Sequence, residues 1–444
     1  MGASGNVALM ALLGWPLITM GIFSAMSPRR AVLTSVILGW LFLPEVATLS
    51  IKGIPDYDKS AAIALAVLLS TALFDPRRIA SFKANIYDLP MILWILGPFA
   101  TSISNGLGAY DGVSACIVEA LSWGIPYFMG RVYFSDQRAA HDLAVAFFLA
   151  GLLYVPFCLW EVKMHPHLHK SLYGFRQQGL NQTLRLGGYR PTVFLPHGIA
   201  VGMLMTSSAL CGYWLWISGG FKKLFGVSVG WMVVGVAITA VLCKSTGAIA
   251  LLIVGAVALA WSHKSKSSLL IVCMIFAAPS YITARALIGW DGVEIIELSR
   301  IIVNDERAAS LKWRIDAEDL LVERAEMRAV LGWGRWRRWR VYDERGRSLA
   351  VSDGFWIIAY GQRGLVGLVL IVVVSLLPIV LVLRFHAVRF WRGPGAAGIE
   401  VLSIVQALYM IDYLFNFMLN PIVVVSLGAV ISNVCAARMR APTT

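Results

Sequence analysis

Long apolar runs alternate with short polar connections along most of this chain. A helix needs about 20 mostly apolar residues to cross a bilayer, and many of these runs approach that length. The pattern therefore predicts thirteen membrane spans, or twelve if one run is re-entrant. The predicted spans are 5–26, 31–49, 60–75, 86–104, 112–130, 140–160, 193–217, 225–243, 246–262, 267–289, 354–383, 398–417 and 421–436.

Backbone polar groups in lipid must be satisfied within the protein, so repeated apolar runs of this length indicate a helical bundle. The composition agrees, because 58% of the residues are hydrophobic and 14% are charged, against roughly 25% charged residues in soluble domains. We therefore predict an all-α polytopic membrane protein, with residues 1–444 as a single membrane domain. No cofactor is indicated by the sequence.

The net charge of +13 indicates topology rather than nucleic-acid binding, because much of it lies in short loops between spans. Alternate loops are basic, which predicts that they are cytoplasmic. The other loops then face the opposite side, and two of them are long, at 161–192 and 290–352. We expect function in these two loops, since binding chemistry concentrates on loops that a rigid scaffold carries.

The first long loop is rich in cations although it lies on the side where arginine should be scarce. Arg176, Arg185 and Arg190 precede His197 in a segment that runs into the next span. Lys244 lies in a very short connection on the same predicted side. An anionic ligand would explain this charge, and the alternative is that these side chains bind lipid phosphates or reach the interface.

A helix is predicted over about 307–331 in the second long loop, with Arg307, Arg314 and Arg328 recurring every seven residues on one stripe. Guanidinium groups in a row suit phosphate, and pairing with nearby acidic residues at the surface is the alternative. The predicted apolar face of this helix contains Trp313, Ala317, Leu320, Leu321, Met327, Val330 and Leu331.

Three carboxylates are further candidates for chemistry. Asp353 lies between the arginine-rich loop and a span, where it could accept a proton or cap the helix. Asp56 and Asp58 have the form of a two-carboxylate Mg²⁺ clip, although such a pair is common by chance. The chain has no P-loop, Rossmann glycine pattern or HExxH helix, which argues against nucleotide hydrolysis, dinucleotide redox chemistry and zinc proteolysis.

Four motifs occur in an order that resembles the O-antigen ligase and O-antigen polymerase superfamily of bacterial membrane glycosyltransferases. They are the segment 185–198 entering a span, the Lys-Ser-Thr-Gly turn at 244–247, Arg314 before Leu-Gly-Trp-Gly at 331–334, and Asp-Gly-Phe-Trp at 353–356 followed by 364–367. The resemblance covers mainly residues 185–370.

The resemblance implies a GT-C-type enzyme of the bacterial inner membrane whose active site faces the periplasm. Its donor would be a polyprenyl-diphosphate-linked glycan and its acceptor a second glycan, with no metal, and its other partners would be membrane lipids. Arg190 and Arg314 would hold the diphosphate, and Asp353 would accept the proton of the acceptor hydroxyl. Further substrate-binding candidates are Arg185, Lys244, Arg328, Arg176 and His197.

Asp353 stands where ligases typically show histidine, which favours a polymerase of surface polysaccharide. An O-antigen ligase acting on lipid-A core is the alternative. A transporter or flippase of an anionic lipid-linked substrate is another, but transporters place polar sites near the bilayer midplane. Here the predicted spans hold few ionisable residues, Glu119 and Asp412 among them.

Overall fold

The computed structural model describes residues 3–185, 187–302, 305–350, 353–386, 393 and 395–440. The protein is mostly helical, at 73%, as the apolar pattern predicts. Eighteen α-helices occur in the described ranges. They are α1 (Ala3–Ala25), α2 (Pro28–Phe42), α3 (Lys59–Phe74), α4 (Pro76–Ala80), α5 (Leu89–Ser104), α6 (Ala109–Glu119), α7 (Ile125–Tyr133), α8 (Gln137–Met164), α9 (Leu168–Tyr173), α10 (Gly198–Ile217), α11 (Val229–Leu242), α12 (Thr246–Ser265), α13 (Leu269–Thr283), α14 (Val293–Ile302), α15 (Asp305–Glu326), α16 (Phe355–Phe385), α17 (Ala397–Asp412) and α18 (Pro421–Arg440).

Within the described residues, eight helical stretches are long and apolar enough to cross a membrane, by length and composition. They are Asn6–Ala25, Ile86–Ser104, Ala109–Tyr133, Gln137–Met164, Gly198–Ile217, Thr246–Ser265, Leu269–Ile288 and Phe355–Phe385. The all-α, multi-pass prediction is thus confirmed. The count of twelve or thirteen spans stays a prediction, because α2, α3, α11, α17 and α18 are helical but fall short of that length or hydropathy.

Two antiparallel hairpins of two-residue strands also occur in the described ranges. Strand β1 (Leu184–Arg185) pairs with β2 (Gly188–Tyr189) in the first long loop, and β3 (Lys223–Leu224) pairs with β4 (Val227–Ser228) between α10 and α11. Gly187 has φ +68° in the first hairpin, a conformation that suits glycine.

The first long loop begins a little later than predicted, because α8 continues to Met164. The Glu161 side chain, fully buried in the last turn of α8, organises the loop. One carboxylate oxygen accepts the backbone N–H groups of His167 and Leu168 at 3.0 and 2.9 Å, and the other accepts those of Thr192 and Val193 at 2.9 and 2.8 Å. A single buried carboxylate therefore fastens both ends of the loop to a span.

The second long loop holds two helices, α14 and α15, rather than the single predicted one. After α15, the chain docks into a break in α16, where Gly364 is non-helical with φ +63° and ψ −161°. The Trp333 and Gly334 N–H groups donate to carbonyls on one side of the break, and the carbonyls of Ala329 and Val330 accept N–H groups from the other side. The loop is thus hydrogen-bonded into the span.

At the Tyr133 end of the Ala109–Tyr133 span, a buried ion pair joins α7 to the turn before α5. Arg131 donates from Nε to Asp88 Oδ1 at 2.7 Å and from Nη2 to Oδ2 at 3.0 Å, and Tyr127 Oη donates to Oδ1 at 2.6 Å. A fork of this kind satisfies most of the carboxylate, as buried pairs require.

Candidate functional site

Arg190 follows β2 and is 5% exposed. Its N–H donates to the Thr183 carbonyl at 2.7 Å, which fixes the backbone, and its side chain packs on Gly198, where any Cβ would collide with it. Nη2 donates to the Lys244 carbonyl at 3.4 Å. The segment after the first hairpin therefore places one guanidinium beside the turn that precedes α12.

Arg314 lies in the middle of α15, and 30% of its side chain is exposed. Its Nη2 is 3.7 Å from Asp353 Oδ2, and 46% of the Asp353 side chain is exposed. At this distance the two groups are not hydrogen-bonded to each other. Asp412, which is buried at the end of α17, is close enough to interact electrostatically with Arg314. Arg314 and Asp353 are both partly exposed, so each keeps hydrogen-bonding capacity for a ligand.

Arg190 and Arg314 line the same cavity, which has a volume of about 350 Å³. The two long loops thus meet at this cavity. We call the end of the protein where the cavity of Arg190 and Arg314 opens the site face. The first turn of α12 contributes Ser245 and Thr246, and apolar walls come from α12 and α17. The two arginines, two hydroxyl residues and a helix N-terminus form an environment suited to an anion.

Glu318, one turn after Arg314, holds α15 against two spans and is 4% exposed. Tyr281 Oη donates to its Oε2 at 2.8 Å, Trp356 Nε1 to its Oε1 at 3.1 Å, and Arg285 Nε is 3.4 Å from Oε2. Arg285 also pairs with Asp319 at 2.7 Å. This node fixes Arg314 relative to α16 and hence to Asp353, which lies three residues before Trp356.

His197 caps α10, since its Nδ1 accepts the Ile199 N–H at 3.1 Å. Burial, followed by the charges of Arg190, Arg185 and Arg314, lowers its pKa from 6.5 to about 4. All three arginines therefore lie close enough to His197 to lower its pKa. Arg185 thus belongs to the neighbourhood of the site, while His197 has a structural role that the sequence did not indicate.

Lys244 lies beside Arg190 and adopts φ +51°, a left-handed conformation in the turn between α11 and α12. Its carbonyl accepts the Arg190 hydrogen bond, and its ammonium approaches Gly188 so closely that a Cβ there would overlap Nζ. Lys244 is therefore next to Arg190, but it is not among the described residues that line the cavity.

Arg328 is not part of the cavity, and its inclusion in the predicted arginine stripe was wrong. Helix α15 ends at Glu326, so the stripe stops before Arg328. The Arg328 guanidinium lies 5.3 Å from the Trp333 ring centroid and donates to the Ser104 carbonyl at 3.4 Å. The side chain of Arg307, the first member of the stripe, lies outside the described residues.

Arg176 is half-buried in the first long loop, and none of the hydrogen bonds or ion pairs of the described residues involves its side chain. It is not among the residues that line the cavity. The Mg²⁺ interpretation of Asp56 and Asp58 gains no support, because Asp56 accepts from Ser50 Oγ at 2.6 Å and Asp58 caps α3 through the Ala61 N–H at 2.9 Å. No metal-binding group of three or more ligands occurs in the described part of the chain.

Asp412 and Asn416 line the cavity but were not site candidates from the sequence. Asn416 Nδ2 donates to Asp412 Oδ1 at 2.7 Å, one turn further on. The available signal was an ionisable residue near the end of an apolar run, where charge is costly and often functional. Asp353 itself caps no helix, because α16 has Gly354 at its N-cap and no side-chain capping bond.

A larger cavity of about 660 Å³ lies near the other end of the bundle and is lined by the cations Arg78, Lys83 and Arg131. Arg131 already holds Asp88, and Arg78 lies 3.9 Å from Asp75. The chain matches no protein-family model and no curated protein. What the site does must therefore be argued from its own residues, which can bind an anion through Arg190 and Arg314 and accept a proton at Asp353.

Proposed function

We propose that this protein is a membrane glycosyltransferase that transfers an oligosaccharide from a polyprenyl-diphosphate-linked donor to a sugar acceptor, as a surface polysaccharide polymerase. The observation that carries the proposal is the meeting of Arg190 and Arg314 in one cavity, although they come from two loops far apart in sequence. Apolar walls beside these cations suit a ligand with a diphosphate head and a hydrocarbon tail.

In the proposed reaction, the acceptor hydroxyl oxygen attacks the anomeric carbon of the donor sugar. The bond between that carbon and the phosphate oxygen breaks, and polyprenyl diphosphate leaves with the bonding electrons. Arg190 and Arg314 stabilise the charge that develops on the diphosphate, as prepositioned cations do. Asp353 takes the hydroxyl proton as general base.

The 3.7 Å contact between Arg314 and Asp353 fits this division of labour. A donor diphosphate would compete for the guanidinium, which prefers bidentate contact with phosphate oxygens. Asp353 would then be released to face the acceptor. The carboxylate and the guanidinium are thus neighbours that are not hydrogen-bonded to each other.

The transporter alternative is favoured by one observation, the break in α16, since broken helices line many transport sites. In this chain the freed backbone groups near Gly364 bond to the segment 329–334 of the second long loop. That pairing accounts for the break without a transported substrate. Glycosyl transfer better explains the arginines at the site face.

The decisive experiment supplies purified protein with lipid-diphosphate-linked repeat units as the only substrate. We expect a ladder of longer lipid-linked chains, which Asp353→Asn should remove and EDTA should leave unchanged. Arg347→Ala is a suitable control in the same loop, because Arg347 is exposed and bonds only to Asp343 within the described residues. A single product that forms only when lipid-A core is supplied would establish a ligase instead.

The proposed location is the bacterial inner membrane, with the site face in the periplasm. In a variant without native cysteines, a membrane-impermeant maleimide applied to spheroplasts should label Glu344→Cys and spare Lys264→Cys. Both positions are exposed. The reverse labelling pattern would place the site face in the cytoplasm and contradict the proposed periplasmic reaction.

A further inference from the structure

A second cleft, of about 290 Å³, opens on the site face next to the cavity that holds the arginines. Its polar walls come from the loop between α2 and α3 and from the start of α3. Phe417 and Leu419 line it from the connection between α17 and α18. We call it the second cleft, and the cavity of Arg190 and Arg314 the first.

Two thin segments separate the first cavity from the second cleft. In the connection after α17, Asn416 lines the first cavity and Phe417, the next residue, lines the second cleft. In the segment that enters α10, Pro196 lines the second cleft and Ile199 lines the first cavity. On both segments, residues no more than three positions apart line different cavities. Ligands in the two spaces would therefore lie close together.

The second cleft has little net positive charge to offer a phosphate. Among the described residues that line it, Lys59 is the only cation. Its Nζ donates to Glu45 Oε1 at 2.7 Å and to the Phe194 carbonyl at 3.1 Å, and its side chain is 8% exposed. A diphosphate would meet a neutralised lysine beside the carboxylates of Glu45 and Asp58, so the two spaces differ in the ligand they suit.

Uncharged polar chemistry is what the second cleft does offer. The hydroxyl groups of Thr48, Ser60 and Ser122 line it, and none of them bonds to another described residue. Phe417 is 39% exposed as a residue and lines the cleft with its aromatic side chain. Free hydroxyls together with an aromatic surface match a saccharide, which has a rim of hydroxyl groups and apolar C–H faces.

We propose that the second cleft binds the acceptor saccharide, an inference that rests on the proposed glycosyl transfer. The start of α16 connects the cleft to the reaction. The Phe355 ring stacks on Phe417 with centroids 4.2 Å apart, and Asp353 precedes Phe355 by two residues, a span of at most about 7 Å. The aromatic wall of the cleft therefore packs directly on the segment that carries the proposed general base.

The test separates acceptor binding from donor binding. The double variant Thr48→Val with Ser60→Ala removes two hydroxyl groups, and Ser60→Leu fills part of the cleft. Elongation of lipid-linked repeat units and the Kd for farnesyl diphosphate are measured on each purified protein. The control is Ser171→Ala, which removes an exposed hydroxyl on α9. Thermal stability in detergent checks that each variant is folded.

We expect elongation to fall about tenfold in the double variant, since each lost hydrogen bond weakens binding severalfold, and further in Ser60→Leu. The Kd for farnesyl diphosphate should stay within about twofold of the wild-type value. Normal elongation in folded cleft variants would overturn this inference and leave glycosyl transfer intact. Equal losses of elongation and diphosphate binding would also overturn it. A wild-type protein that neither elongates chains nor binds farnesyl diphosphate would instead refute the proposed function.

Discussion

The pairs Arg131–Asp88 and Arg314–Asp353 join the same two chemical groups at opposite ends of the protein. In the first pair the guanidinium is 6% exposed and contacts both carboxylate oxygens. In the second, the arginine side chain is 30% exposed and comes no closer than 3.7 Å to the carboxylate. A completed pair holds helices together, whereas an incomplete pair keeps charge available for a ligand. Pair completeness, rather than the presence of arginine, distinguishes structure from function here.

The largest expected effect comes from breaking each pair. Arg314→Ala should lower glycosyl transfer by about 10²- to 10³-fold, the range for loss of one group that stabilises developing charge, with normal amounts of folded protein. Arg131→Ala should instead reduce folded protein, because the buried Asp88 loses its partner at a cost of about 3–5 kcal/mol. Transfer assays and size-exclusion profiles measure the two effects. Loss of folded Arg314→Ala protein from the membrane would contradict the distinction.

The all-α, multi-pass character was predictable because apolar length is a property of the sequence alone. Arg190 and Arg314 were predictable as a pair because both are cations on the side where cations are scarce. Their shared cavity confirms that they meet, while their chemistry stays a prediction. Asp412 was noted in the sequence only as an ionisable residue of a span and not as a site candidate, because its place at the cavity depends on where the end of α17 lies relative to α15, which no local pattern indicates.

The packing of α15 was only partly predictable from periodicity, because Ala317 and Leu321 of the predicted apolar face are buried, at 6% and 1% exposed, but other members are not. Trp313 was placed on the apolar face but is 52% exposed, whereas the charged Glu318 is 4% exposed. The helix packs through a polar node at the ends of two spans, where Arg285 and Trp356 supply donors. Hydrophobic patterns predict burial against apolar surfaces. They do not predict which residues are buried when a helix packs through hydrogen-bonded polar side chains.

Glu318 extends the comparison of the two ion pairs. Its carboxylate is fully hydrogen-bonded, and it holds the helix that carries Arg314 of the Arg314–Asp353 pair. Glu318→Gln should lower transfer about tenfold, since one carboxylate oxygen becomes an NH₂ group facing donors, an unsatisfied contact costing about 1–3 kcal/mol. Arg314 would shift with its helix. Transfer by Glu318→Gln equal to that of the wild type would show that the node does not position Arg314.

The same variant has a signature in the pH dependence of stability. Burial raises the pKa of Glu318 from 4.5 to about 7, although hydrogen bonds from Tyr281 and the charge of Arg285 lower it. The folded state then binds this proton more readily than the unfolded state, so its contribution to stability is lost as the pH rises from about 4.5 to 7. Thermal melts across this range should show a shallower decline for Glu318→Gln. Parallel curves would argue against a raised pKa.

A smaller effect is expected at His197, which lies among arginines and which we expect to take no part in the proposed reaction. With its pKa lowered to about 4, the imidazole is neutral from pH 5 to 8 and continues to cap α10. His197→Asn preserves a side chain that can cap a helix. Its transfer rate should stay within about threefold of the wild-type rate at each pH. An inflection near pH 6.5 that disappears in the variant would show that His197 titrates during the reaction.

The smallest effect is expected for Arg328, which tests whether position in the cavity or mere arginine content matters. Arg314 and the end of α15 at Glu326 are separated by about 18 Å along the helix axis, and Arg328 lies beyond that end against Trp333. Its guanidinium therefore cannot share a phosphate with Arg190 while α15 keeps its place. Arg328→Ala should change the transfer rate by less than about twofold, measured beside Arg314→Ala in the same membranes. A loss of tenfold or more, with folded protein intact, would mean that the donor extends along α15 and that the incomplete pair is only one part of a longer anion-binding surface.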